Sequence, residues 1–163
     1  MQRNNRFEIV AVIHNVRSVH NVGSMFRTAD GAGIKKLYLS GFTPGPLDRF
    51  GKVRTDFKKV SLGAEASVEW ESVRSVTTLI KKLKKDGYVV CAVEQAPRAR
   101  NIFTAARYLR ARRIAIIVGN EVRGLSPSIV RSADHVLEIP MYGSKESLNV
   151  SVAFGIAVYA LRD

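Results

Sequence analysis

Cysteine is nearly absent. Cys91 stands alone inside the apolar run YVVCAV, so the chain can form no internal disulfide and no cysteine-rich metal site. A buried structural thiol is its expected role. Histidine is scarce too: His14, His20 and His135 lack the spacing of zinc ligands, and no metal is expected. No stretch approaches ~20 uninterrupted apolar residues, and Met1 to Arg6 is polar and basic, without the apolar core of a signal peptide. The expectation is a soluble, cytoplasmic protein with no membrane span. Nucleotide and hydrolase fingerprints are also missing. GAG at 31–33 closes a helical pattern and lacks the third glycine of a dinucleotide loop, while GxxxxGK[ST] and the GxSxG elbow do not occur.

What is abundant is positive charge. The 163 residues carry 26 Lys and Arg against 14 Asp and Glu, a formal net charge of +12, which points to a polyanionic partner. Arg49, Lys52, Arg54, Lys58 and Lys59 crowd one loop-like segment, and Arg98, Arg100, Arg107, Arg110, Arg112 and Arg113 crowd another. Lys81, Lys82, Lys84 and Lys85 end a helical pattern, where cations suit the helix dipole and need no ligand. Composition alone leaves RNA, DNA and a membrane surface open as partners.

With 46% apolar residues and no internal repeat, the length fits one domain with one core. Short β-rich runs alternate with helical patterns. Strands are predicted at 7–13, 35–40, 88–94, 113–119 and 135–139, and helices at 22–32, 72–85, 127–132 and over the last residues. That alternation predicts an α/β protein with a mainly parallel sheet covered by helices on both faces. Ligands in such sheets lie beyond the carboxyl ends of the strands, so the loops after Ile13, Val93, Val118 and Ile139 are the places to search.

The stretch Ile139 to Leu161, IPMYGSKESLNVSVAFGIAVYAL, organises the reading. Ser147 stands where a helix N-cap is expected, and beyond it only Asn149, Ser151 and Gly155 interrupt an apolar surface. A helix apolar nearly all round must be buried, and 15 residues, roughly 22 Å, are too few to span a bilayer. A polar junction at the head of a buried helix is costly without partners and marks a candidate site. Two other loops carry distinctive side chains. Asn21 and Arg27 start a helix after the first strand and are expected near one face of it, where an Arg fork suits a phosphate. Glu121 sits in the turn VGNEVRGLS after the fourth strand.

Taken in order, NVGSMFRTADGAGI at 21–34, IVGNEVRGLS at 117–126 and the stretch at 139–161 resemble the three motifs of the SpoU-type (TrmH-like) RNA ribose 2′-O-methyltransferases of the SPOUT superfamily. VSLGAEASVEW at 60–70 is also similar, so the resemblance covers nearly the whole chain. It implies a C-terminal deep trefoil knot, which general topology rules would not suggest. It also implies an S-adenosylmethionine pocket made by the knot's loops, and a homodimer through the C-terminal helix. Gly119, Ile139 and Leu148, with Met141 adjacent, fall on cofactor-contacting positions, and the loop after Val93 is expected to line the same pocket. Asn21, Arg27, Glu121, Ser147 and Asn149 fall on active-site positions.

The implied activity is methyl transfer from S-adenosylmethionine to the 2′-hydroxyl of a ribose in tRNA or rRNA. With the first motif this near the start, a single domain without an N-terminal RNA-binding extension is expected, and its own basic surface must hold the RNA. Arg27 is a permanent cation, so its expected role is to hold a phosphate and stabilise developing alkoxide charge. Asn21, Ser147 and Asn149 would position ribose, with Glu121 orienting Asn21 or Arg27. The alternative is a noncatalytic RNA-binding or assembly protein that keeps the fold. Methylation of a base nitrogen is disfavoured by SLNVS in the third motif.

Overall fold

The computed structural model describes residues 7–110 and 112–162; the polar, basic stretch Met1 to Arg6 lies outside them. In chain order the elements are β1 Glu8–His14, α1 Val19–Ala32, β2 Lys36–Ser40, α2 Thr55–Ser61, α3 Ala64–Ser67, β3 Glu69–Val73, α4 Val76–Lys85, β4 Val89–Val93, β5 Arg100–Asn101, α5 Ile102–Leu109, β6 Arg113–Val118, α6 Pro127–Ser132, β7 His135–Glu138 and α7 Val150–Arg162. The strands form one seven-stranded sheet in the order β3-β2-β1-β6-β4-β7-β5. Every pairing in it is parallel.

Strand periodicity divides the core into two. Ile9, Ala11 and Ile13 of β1 and Ile114, Ile116 and Val118 of β6 face one layer, where Met25 and Phe26 of α1, Phe57 of α2, Ile102 of α5 and Phe154 of α7 meet them. Val10, Val12, Ala115 and Ile117 face the other, against Leu79, Ile80 and Leu83 of α4 and Ile129 of α6. The sheet is thus covered on both faces, which is why its central strands read as continuous apolar runs. Caps follow the sequence signals: Ser18, Ser75 and Ser126 accept the backbone N–H of Asn21, Thr78 and Ile129 at the starts of α1, α4 and α6. Cys91 is fully buried, and burial pushes its thiol up to about 12, with Asp134 adding to the effect.

Several elements were not anticipated. The residues at 72–73 belong to β3, and α4 begins only after its cap Ser75. β3 is an edge strand whose Glu69 and Glu71 share Lys36 of β2, at 3.0 and 2.9 Å, so half of its face is charged and it carries little apolar signal. Helix α5 buries Ile102, Ala105, Ala106 and Leu109, a helical spacing that its arginine-rich surroundings obscure. Lys58 and Lys59, expected in a loop, lie on α2. Among the described residues no helix is long and apolar enough to cross a membrane, and no three His, Cys, Asp or Glu side chains form a metal-ligating group.

Helices α1 and α7 lie side by side and parallel. Asn21 meets Asn149 near their N-termini, Thr28 lies against Gly155, and Gly31 lies against Tyr159. Within one chain α7 buries Phe154, Ala157, Val158 and Leu161, each of the larger ones contributing about 1.5–3 kcal/mol. Its other side is open: Val152 and Tyr159 are 50% and 53% exposed. The expected all-round burial is therefore not met inside a single chain.

Candidate active site

The carboxyl ends of β4, β6 and β7 open onto one cleft of about 740 Å³, its mouth included. Its wall is drawn from three separate loops. Val93 and Glu94 come from the end of β4, Gly119 to Glu121 from the end of β6, and Ile139, Met141, Ser147 and Leu148 from the segment leading to α7. The parallel sheet dictates this convergence, because all its strands end on the same edge.

The turn after β6 is tightly specified. Asn120 and Gly124 pair through both backbone groups, at 3.3 and 2.9 Å. The Asn120 side chain accepts the N–H groups of Val122 and Arg123. Gly119 is required at the base of this turn, since a Cβ there would stand 2.7 Å from the carbonyl carbon of Gly124. Across the cleft the Glu94 carboxylate accepts the N–H of Leu125 at 2.8 Å and that of Gln95 at 3.0 Å, tying the loop after β4 to the loop after β6.

Glu121 reaches from this turn to the head of α1. Its carboxylate accepts the backbone N–H groups of Arg17 at 3.1 Å and Ser18 at 3.0 Å, and the Asn21 Nδ2 amide at 3.2 Å. Burial works against its charge, but these N–H donors prevail and hold the carboxyl below its ordinary value. A carboxylate can only accept, so the Asn21 amide must turn its NH₂ toward Glu121 and its Oδ1 away. That Oδ1 accepts Asn149 Nδ2 at 3.2 Å. The Asn149 Oδ1 is then left to accept the Ser151 N–H at 2.9 Å and the Ser151 hydroxyl at 2.6 Å. A one-way relay of hydrogen bonds thus runs from the turn after β6, through the first turn of α1, to the head of α7.

The structure brings Gly119, Glu121, Ile139, Met141, Ser147 and Leu148 into the cleft, with Asn21 and Asn149 joined to it through the relay. Three expectations change. The cap of α7 is Asn149, not Ser147, and the helix begins at Val150. The junction is not buried: Ser147, Leu148 and Asn149 are exposed in the single chain. Asn21 and Arg27 do not share a face, because six residues at ~100° each leave them about 120° apart around the axis. Asn21 is buried, whereas Arg27 is exposed outside the cleft and makes no ion pair with the described residues. Sequence reasoning missed Glu94 and Glu138, which line the cleft; Glu94 opens the loop after Val93, and Glu138 ends β7, just before the loop after Ile139.

The SpoU rRNA methylase family model matches residues 8–159. The chain belongs to this family. It is 31% identical over 158 residues to a tRNA (guanosine(18)-2′-O)-methyltransferase of Aquifex aeolicus, covering 93% of this chain and 67% of that protein. It is 30% identical to a 23S rRNA (guanosine-2′-O-)-methyltransferase of Blochmanniella floridana, covering 96% of this chain and 58% of the other. An AdoMet-bound rRNA methyltransferase from Sinorhizobium meliloti superposes with a TM-score of 0.85 at 25% identity, over 95% of this chain and 56% of that one. The A. aeolicus TrmH/SpoU tRNA modifying enzyme gives 0.81 at 29%, over 96% and 75%. The parallel α/β sheet expected from the alternation of strands and helices is the sheet of these structures, and the chain spans between about half and three quarters of these four proteins.

Proposed function

We propose that the chain transfers a methyl group from S-adenosylmethionine to the 2′-hydroxyl of a ribose in tRNA or rRNA. The observation that carries this reading is the cleft at the strand ends, placed against the Glu121–Asn21–Asn149 relay, in a chain of this family. The names of the relatives support the substrate class. A cytoplasmic location is part of the same proposal and rests on that class alone.

The cleft fits the cofactor. Val93, Val118, Ile139, Met141 and Leu148 offer apolar walls to an adenine ring, and Glu94, Glu121 and Glu138 set negative charge in the cleft of a strongly cationic chain. An acidic cleft suits a sulfonium cation. The cofactor supplies a methyl group already activated for transfer, so the protein's task is alignment and the handling of one proton. Glu121 is not a candidate base, because its oxygens are engaged by backbone N–H groups that favour the ionised form. It fixes Asn21, and Asn21 with Asn149 presents a rigid polar edge next to the exposed Ser147 hydroxyl, which can bond a ribose oxygen. Arg27 supplies a permanent cation for the adjacent phosphate and the developing alkoxide, with phosphate or solvent taking the proton.

Homodimerisation through α7 belongs to the same proposal. The half-exposed apolar side of α7 needs cover, and on α1 Arg27 stands next to Thr28 and one turn before Gly31, two positions in contact with α7. Pairing of these faces would bring Arg27 to the seam between subunits and cover the exposed junction at Ser147 to Asn149. The C-terminal knot implied by the motifs is likewise part of the proposal. RNA would be held by the domain's own basic surface, which includes Arg49 stacked at 4.7 Å over the exposed ring of Phe50. Incubation with labelled cofactor and total RNA tests the reading: label in tRNA or rRNA supports it, whereas no cofactor binding by calorimetry at millimolar concentration supports the noncatalytic rival.

A further inference from the structure

Beside the acidic cleft lies a second, larger groove, of about 1420 Å³ including its mouth, on the other side of the turn at Asn120 to Gly124. The two share that turn: Asn120, Val122 and Gly124 line both. Their chemistry is opposite. The second groove is lined by Arg17, Arg123 and His14 and by no acidic side chain, and neither arginine is in an ion pair with the described residues. It also presents Phe42, whose side chain is 59% exposed.

Phe42 is exposed on a hydrogen-bonded turn. Asn15 holds it from the end of β1, in a left-handed conformation with φ 54°, which Asn tolerates better than most residues. Its Oδ1 accepts the Phe42 N–H at 3.1 Å, its N–H donates to the Ser40 carbonyl at 3.1 Å, and its carbonyl accepts Asn120 Nδ2 at 2.8 Å. One residue therefore fixes both walls. Gly41 is required for this, because a Cβ there would fall 1.8 Å from Asn15 Oδ1. Thr43 adds a second staple, its buried hydroxyl bonding the carbonyls of Ile13 at 2.8 Å and Ser40 at 2.9 Å. An aromatic side chain left in water on so constrained a turn invites a stacking partner.

His14 is oriented as well. Its Nδ1 lies 2.8 Å from the hydroxyl of Ser40, which is fully buried. A buried hydroxyl must donate its proton somewhere, and Nδ1 is its partner among the described residues. With the hydroxyl donating to Nδ1, the neutral ring carries its proton on Nε2, the other polar atom of a side chain that lines the groove. Burial lowers the ring's affinity for a second proton.

We propose that this groove is the subsite for a nucleotide of the RNA substrate, with the base stacked on Phe42, its phosphate held by Arg17 and Arg123, and an acceptor on the base edge bonded to His14 Nε2–H. The proposal rests on the reading of the chain as an RNA methyltransferase and adds where a nucleotide is gripped. A cationic methyl donor in the acidic cleft and an anionic strand in the basic groove would meet across the turn that carries Glu121.

The test is an NMR titration of the full chain with adenosine, guanosine, cytidine and uridine 5′-monophosphates, and with inorganic phosphate, following the His14 imidazole and the Phe42 and Val122 amides. At least one nucleotide is expected to shift these resonances saturably. Phe42→Ala, at an exposed position, should weaken that binding about tenfold, as loss of one stacked base does. Arg123→Gln should weaken it several-fold, and neither variant should alter affinity for S-adenosylhomocysteine. Shifts of equal size from phosphate alone, equal nucleotide affinity in Phe42→Ala, or no response to any nucleotide would overturn the assignment. Because this titration involves no methyl transfer, its failure is separable from that of the broader function, which fails if the wild-type protein modifies no RNA.

Discussion

Asn21 and Asn149, 128 positions apart in sequence, share a hydrogen bond of 3.2 Å that ties together the N-terminal ends of two parallel helices. The same pair connects the first motif to the third, with Glu121 supplying the second. The three motifs are thus one hydrogen-bonded object in the folded chain. Its direction is imposed by a carboxylate that can only accept, and each amide orientation follows from the one before it.

The direction of the relay separates two roles of Asn149. Asn149→Asp keeps an oxygen to cap α7, and Asp caps as well as Asn, but it removes the NH₂ that reaches Asn21. Thermal stability should stay close to wild type while methyl transfer falls about tenfold or more, the effect of losing one positioning hydrogen bond. Asn149→Ala should show the same loss of transfer and also cost about 1 kcal/mol in urea unfolding. Wild-type activity in Asn149→Asp would reduce Asn149 to a helix cap.

Arg27 is exposed and outside the cleft of its own chain, so Arg27→Ala should leave stability within about 0.5 kcal/mol of wild type. Cofactor affinity by calorimetry should be unchanged. Methyl transfer should fall by about two to three orders of magnitude, as when a donor to developing negative charge is removed. Equal activity would take Arg27 out of the mechanism.

The open side of α7 predicts an oligomer. Sedimentation equilibrium should give twice the 18.0 kDa chain mass. Val152→Glu, at a position half exposed in the single chain, should give a folded monomer by circular dichroism, since burying an unpaired charge in an interface is costly. A wild-type monomer at micromolar concentration would contradict the interface.

At the opposite end of the sheet Glu8 joins Lys35 at 2.8 Å, Arg113 at 3.0 Å and the Tyr88 hydroxyl. Burial opposes its charge, but these three partners outweigh it and lower its carboxyl from 4.5 to about 2. A depressed native value stabilises the fold fully above the ordinary one and is lost as pH falls. Glu8→Gln should therefore be less stable than wild type at neutral pH. The difference should shrink below about pH 4.5 and vanish near 2, as read from urea midpoints. A difference that stays constant down to pH 2 would contradict the charged network.

Much of this fold was legible because strands buried on both faces announce themselves: FEIVAVI and RIAIIVG became β1 and β6 with limits shifted by about one residue. β3 was hidden because Glu69 and Glu71 answer to a lysine on the next strand, a long-range pairing that no local pattern encodes. The site was legible as residues but not as geometry. The motifs named Asn21, Glu121 and Asn149, whereas only the parallel packing of α1 on α7 shows how they connect. The cap was misassigned to Ser147 because Ser and Asn are equally good caps, and the choice depends on which side chain the preceding loop turns inward. Phe42 gave no signal at all, since its exposure depends on Asn15, in a different loop.

In the proposed reaction this cleft directs a methyl group to a ribose oxygen. The most direct measurement is incubation with S-adenosyl-[methyl-³H]methionine and unmodified tRNA and rRNA, followed by alkaline hydrolysis and nucleoside analysis. The predicted result is label in an alkali-resistant dinucleotide that yields a 2′-O-methylnucleoside, lost in Arg27→Ala. Label on a base, or an RNA pool left unlabelled by a protein that binds the cofactor, would contradict it.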